Sequence, residues 1–375
     1  MKHTTRRLAG AGALASAGAV LAIAATSGTP SVDVAELNPG AAVDRSLCLT
    51  VSLRPGIASE CGDLRIAHAL PQVRILGATH GPVLIYNSQH ASPNPVVAAD
   101  VQSPSAWSDP DSVVGVLRVS GEVRARGSWR GSGWGAGERR RIALAYRGPG
   151  EETNLHRYTL DVTFHRGGDS SSARADGALA VVNRAASPFG AGWWLAGLER
   201  VVVDPDGDPV MWVGGDGSVR RYNPVPGETG RWSAQALDRP DTLVREGGGF
   251  RRSLVGGGRV VFNTRGQHTS TFDRLGFQTA FHYTGERLDS IQMPVTHRPP
   301  ETPCDTTRIP NSMCIRMPVA VYRHTYHFGY GSDGRIVEVR APGAARDSAR
   351  ITRIDGPGML VRSITDPDGT AVRFD

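Results

Sequence analysis

Most of what this chain can fold into is fixed by one recurring pattern, a strand-sized alternating run closed by a glycine turn. The segment DPDGDPVMWVGGDGSVRRY, residues 204–222, sets Asp206-Gly207 and Asp216-Gly217 ten residues apart. Gly266, Gly276 and Gly285 follow at gaps of ten and nine, and Asp333-Gly334 and Asp368-Gly369 close later runs. Asp-Gly between alternating apolar residues is a strong hairpin signal, and it predicts two-residue turns in which both residues take positive φ. Phe277, Thr279, Phe281 and Tyr283 share one strand face, as do Tyr326, Phe328 and Tyr330. The unit is a strand of about eight residues plus a turn, and units of this kind build a sheet by stacking neighbours.

The first half is also β in texture. In HRYTLDVTFHR, residues 156–166, Tyr158, Leu160, Val162 and Phe164 alternate with Thr159, Asp161 and Thr163. Several such runs between Leu47 and about residue 185 are bounded by Gly, Pro, Asn or Asp, and no sustained 3.6-residue pattern with caps occurs. The sequence therefore predicts an all-β chain: a β-sandwich-like domain over 45–185, then antiparallel β-hairpin repeats over 186–375. Residues 25–44 read as a flexible lead-in.

Residues 1–24 have the layout of a secretory signal peptide: Lys2, Arg6 and Arg7, an alanine-dominated apolar run, then the small residues Ala22 and Ala24 at the two positions a signal peptidase reads. Arg6-Arg7 leaves twin-arginine export open beside the general route. No later segment approaches 18 continuous apolar residues, so no membrane span is expected in the mature chain. The expected location is secreted, periplasmic or cell-surface. Cys48, Cys61, Cys304 and Cys314 fall in two locally spaced pairs, which suit two short-loop disulfides in an oxidising compartment, although four cysteines permit three pairings. Gaps of 13 and 10 residues do not make the knuckles of a zinc site.

The net charge is +6, and the only lysine is Lys2. Chemistry that needs a lysine, such as a phosphate loop or a Schiff base, is excluded from the mature chain. Arg139-Arg140-Arg141 is the only basic run, and nucleic-acid binding is not expected.

Several segments resemble the Rhs / YD-repeat family, whose repeats run roughly Tyr-Asp, two residues, Gly-Arg-Leu, a strand and Asp-Pro-x-Gly. They are YTGERLDSI (283–291), YGSDGRIVEV (330–339) and SITDPDGTAVRFD (363–375). SPFGAGWWLAGLERV (187–201) resembles the lead into the first repeats, and GPVLIYNSQ (81–89) a strand of the family's N-terminal region. The resemblance implies the opening turns of a spiral β-sheet shell, without enzymatic activity, in a polymorphic-toxin or cell-surface system. A C-terminal toxin or a continuation of the shell would then be the partner. The Pro-rich stretch 293–324 departs from the pattern and is expected to be a disulfide-pinned surface insertion.

Catalytic motifs are sparse. Neither G-x-S-x-G nor H-E-x-x-H occurs. Asp204, Asp206 and Asp208 alternate like the first ligands of a calcium loop, but Pro209 replaces the required glycine and no Glu stands at the twelfth position. A plain turn is the expectation there, and no cofactor is expected. Trp193 and Trp194 would project to opposite faces of a strand, giving a packing role, with glycan stacking and membrane contact as alternatives. Two other functions stay open: a secreted carbohydrate-binding or adhesin protein, and a polysaccharide-degrading enzyme with two facing carboxylates.

Overall fold

The computed structural model describes residues 63–75, 78–148, 150–234, 242–294, 324–343 and 348–374, with the backbone alone of residue 241 and of the strands 31–33, 51–54 and 57–60. The chain is all-β. The single helix among the described residues is the four-residue Ser88–Ala91, so none is long and apolar enough to cross a membrane.

A sandwich occupies the first half. Its larger sheet has the order Glu122–Arg130, Ser112–Val119, Asn154–Arg166, Asp169–Val181, all antiparallel. Facing it are Val96–Gln102 and Arg139–Ala145, with the short Ser31–Asp33 beside them. The alternation in Asn154–Arg166 sends Tyr158, Leu160, Val162 and Phe164 into the core against Leu117, Ile142 and Leu144. The glycine-rich 131–137 is a loop whose Trp134 is buried edge-on to Phe164, at 5.5 Å between ring centroids.

This sandwich is smaller than the sequence implied. Strands Asp63–Ala69 and Val83–Asn87, expected within it, pair with one another, and Val83–Asn87 also pairs with Trp193–Leu195. Leu70, Val73, Ile75 and Leu84 then pack on Phe189, Trp193, Tyr326, Phe328, Val339 and Ile354 of the second half. The reason is burial: a one-sided sheet leaves an apolar face, and the segment around residues 63–87 covers it. Polar contacts fix it there. Tyr326 donates its hydroxyl to the Pro71 carbonyl at 2.8 Å, Arg350 donates to the Gln72 carbonyl at 2.7 Å, and His68 meets Asp366 at 3.2 Å.

The second half opens with a three-stranded meander, Arg200–Val203, Pro209–Val213 and Val219–Arg221. It continues as a 13-stranded antiparallel sheet from Asn223–Pro224 to Ala371–Arg373, in which every strand pairs with its neighbours in sequence. Phe281, Tyr283, Tyr326, Phe328 and Tyr330 all pack on the same core, as their alternation implied. Residues 293–324 interrupt the meander without breaking the sheet. Gln292 pairs with Thr325, and the Met293 amide donates to the His324 carbonyl at 2.8 Å.

The turns differ from expectation. In Asp204–Asp208 the first amide donates to the fifth carbonyl at 2.9 Å, and the Gly207 amide donates to the Asp204 carbonyl at 3.0 Å. The same pair of bonds recurs in Gly214–Ser218, Leu254–Gly258, Asn263–Gln267, Asp273–Phe277, Gly331–Arg335 and Asp366–Thr370. Leu254–Gly258 takes positive φ at both Gly256 (φ 97) and Gly257 (φ 94), whereas in the other turns it falls on the fourth residue alone, as at Gly207 (φ 83) and Gly334 (φ 83). This is a type I turn followed by a left-handed glycine bulge, not a two-residue turn. Asp206, Asp216, Asp333 and Asp368 thus avoid the left-handed region, and the first turn residue is often an Asx acceptor. Asp273, for example, accepts from the amides of Leu275 and Phe277 at 2.8 and 2.9 Å. Two-residue turns with positive φ at both positions occur instead at Ser120-Gly121 and Gly247-Gly248.

Candidate functional site

The linker 182–188 between the sandwich and the second half floors a cleft of about 910 Å³, within the range of small-ligand sites and at the kind of junction where such sites form. Valines 182, 201, 202, 203 and 213 supply the apolar surface. The end of the sandwich contributes Glu151, Glu152 and Asn154, and hairpin tips of the large sheet contribute Arg265, Glu286, Arg287 and Asp333.

Some of this charge is already paired. Arg200 holds Glu286 at 3.2 Å, and the nearly buried Glu151 carboxylate is held by Arg124 at 2.7 Å and lies 3.5 Å from His156 Nδ1. Arg287 lies over the Tyr330 ring at 5.7 Å. Neither Arg265 nor Arg287 makes an ion pair among the described residues. Their two turns are tied together, because the Gln267 side chain donates to the Gly285 carbonyl at 2.8 Å.

The two tryptophans have different surroundings. Trp193 is 3% exposed and packs between Tyr86 and Phe374, at 5.4 and 5.3 Å between centroids. It is a core residue and cannot stack on a glycan. Gly192 (φ 77) is needed beside it, since a Cβ there would lie 2.7 Å from the Tyr86 ring. Trp194 is half-buried and borders the cleft. Its Nε1 donates to the Leu198 carbonyl at 2.8 Å, Phe189 meets it edge-on, and the Arg184 guanidinium stacks on it at 4.8 Å.

Three buried arginines tie neighbouring loops and strands together, Arg184 of them within the cleft, and the sequence singles out none of the three. Arg184 is 5% exposed and donates to the carbonyls of Gly214 and Gly215, each at 2.9 Å. Burial pushes its pKa down to about 9, with Asp216 acting in the opposite direction. Arg335 follows the turn glycine in SDGRI and donates to the carbonyls of Gly356 and Gly358 at 2.8 and 2.7 Å. It thereby ties one hairpin tip to the next loop of the sheet. Arg252 stacks on Trp212 at 4.2 Å and pairs with Glu199, whose carboxylate also accepts from Trp212 Nε1 at 2.7 Å. Next to this pair His268 accepts the Glu199 amide at Nδ1, so its Nε2 carries the proton and donates to Thr271 at 2.7 Å. Burial pushes the His268 pKa down to about 3.

Asp204, Asp206 and Asp208, whose spacing resembles the start of a calcium loop, lie in a turn. Asp204 accepts the Asp208 amide at 2.8 Å, and Asp208 pairs with Arg245 at 2.9 Å. No cluster of three His, Cys, Asp or Glu with metal-holding geometry occurs among the described residues. Cys48, Cys61, Cys304 and Cys314 lie outside the described residues. The one available signal for the arginines was their place in the pattern: Arg335 directly follows a turn glycine, and Arg252 lies within a period-two strand, where an outward charge would be ordinary.

No protein-family model matches the chain, and no curated protein matches it.

Proposed function

We propose that this chain is an exported, non-enzymatic wall segment of an Rhs/YD-type β-sheet shell, part of a polymorphic-toxin or cell-surface system. The observation that carries the reading is the 13-stranded antiparallel sheet from Asn223–Pro224 to Ala371–Arg373, ordered as in the sequence, with one turn geometry recurring at several of its hairpins. A sheet of this kind extends by adding hairpins without needing a new core each time. Arg335, bonded to carbonyls of a neighbouring loop, stiffens the wall at its rim. The role is then to enclose or present a C-terminal partner. The test is protease protection: co-expressed with the segment encoded downstream, the wall should shield that segment from proteinase K. Cleavage at the rate of the free segment would overturn the enclosure role.

A second reading, carbohydrate binding, is favoured by the junction cleft, where Trp194 and arginine, amide and carboxylate side chains converge on one cavity.

A further inference from the structure

The junction cleft holds an imbalance that the fold does not use. Within it Glu286 is neutralised by Arg200, and Glu151 by Arg124 outside the lining. Arg184 is consumed by backbone carbonyls and Trp194. Asp333 lies 3.9 Å from Arg335. What remains is Arg265 and Arg287 on two tied hairpin tips, opposed by Glu152 on the sandwich side. Both guanidiniums are exposed, so each keeps its planar donor fork available for an oxyanion.

We propose that this cleft binds an acidic oligosaccharide, with Arg265 and Arg287 taking its carboxylates. The proposal rests on the carbohydrate-binding reading and names its ligand class. Three features favour a sugar over another polyanion. Trp194 and the valines offer an apolar surface for pyranose faces, Asn154 and Glu152 offer planar groups to hydroxyls, and the cavity of about 910 Å³ is within the range of small-ligand sites. The guanidinium excess selects an acidic sugar over a neutral one. The attraction is partly screened, so affinity falls as salt rises.

The test is calorimetric titration of the full mature chain with hexagalacturonate, cellohexaose and hexaglutamate. The uronate alone should bind, and the variant R265Q/R287Q should weaken it at least tenfold while the melting temperature holds, because both side chains are exposed at hairpin tips. A second measurement needs no variant: hexagalacturonate should protect Arg265 and Arg287 from phenylglyoxal in the unaltered protein. Equal binding of cellohexaose would overturn the acidic class and leave the carbohydrate reading standing. Equal binding of hexaglutamate would replace the sugar with an acidic peptide. Binding of none of the three, or uronate binding with no protection and no loss in the variant, would overturn the proposal. The first of these would remove the carbohydrate reading as well.

Discussion

Arg252 donates from Nη1 to both carboxylate oxygens of Glu199, at 3.0 and 2.9 Å, inside the layer that joins the three-stranded meander to the large sheet. The two side chains are 9% and 14% exposed, and Trp212 closes the pair from above. Removing one member of such a pair strands the other charge away from water. Glu199→Ala should therefore cost about 3 kcal/mol or more. Urea denaturation followed by tryptophan emission checks this, and a loss below about 1 kcal/mol would show that solvent reaches the site.

Turn glycines divide by their surroundings. Gly207 (φ 83) has open space where a Cβ would go, whereas a Cβ on Gly266 (φ 72) would lie 1.7 Å from the Val201 carbonyl oxygen. Gly207→Ala should cost about 1–2 kcal/mol, the usual penalty for an L residue in the left-handed region. Gly266→Ala should cost distinctly more, since the Val201–Gly266 hydrogen bond joins the meander to the large sheet. Parallel denaturation curves of the two variants decide it.

The tryptophan pair separates in the same way. Trp193→Ala empties a site in the main core and should cost about 3–5 kcal/mol. Trp194→Ala should cost less, and its effect should show in ligand titrations of the cleft. Equal losses of stability would mean that Trp194 is as deeply built in as its neighbour.

Acid should loosen the junction before the carboxylates titrate. His268 is held neutral with its pKa pushed down to about 3, and His90 is pushed down to about 3 by burial and by Arg184 and Arg65 nearby. The unfolded chain takes up these protons near pH 6.5 and the folded chain does not. The stabilisation is thus complete above about pH 6.5 and is lost progressively as pH falls towards the folded value. Between pH 6.5 and 5 each histidine should contribute a slope approaching about 1.4 kcal/mol per pH unit. His268→Asn should flatten the slope even though it lowers stability overall. An unchanged slope would show that His268 titrates in the folded protein.

The sequence was most legible where period and turn chemistry agree. Alternation in Asn154–Arg166 and in Thr325–Tyr330 placed their core faces, because side-chain direction in a strand follows from position alone. The pairing of Val83–Asn87 with Trp193–Leu195 was not legible, since it joins segments about a hundred residues apart and nothing local to either strand encodes the partner. Asp-Gly by itself implies a two-residue turn, because the dipeptide does not reveal the fifth residue that closes the loop. The cleft was hidden for a related reason. Glu152, Arg265 and Arg287 are ordinary exposed residues in their own turns, and only the folding of the two halves against the 182–188 linker brings them around one cavity.

The shell account is tested most directly by the DNA on the 3′ side of the Asp375 codon. It predicts a frame that runs on through further Tyr-Asp and Asp-Pro-x-Gly repeats. A frame that carries none of these repeats would contradict it.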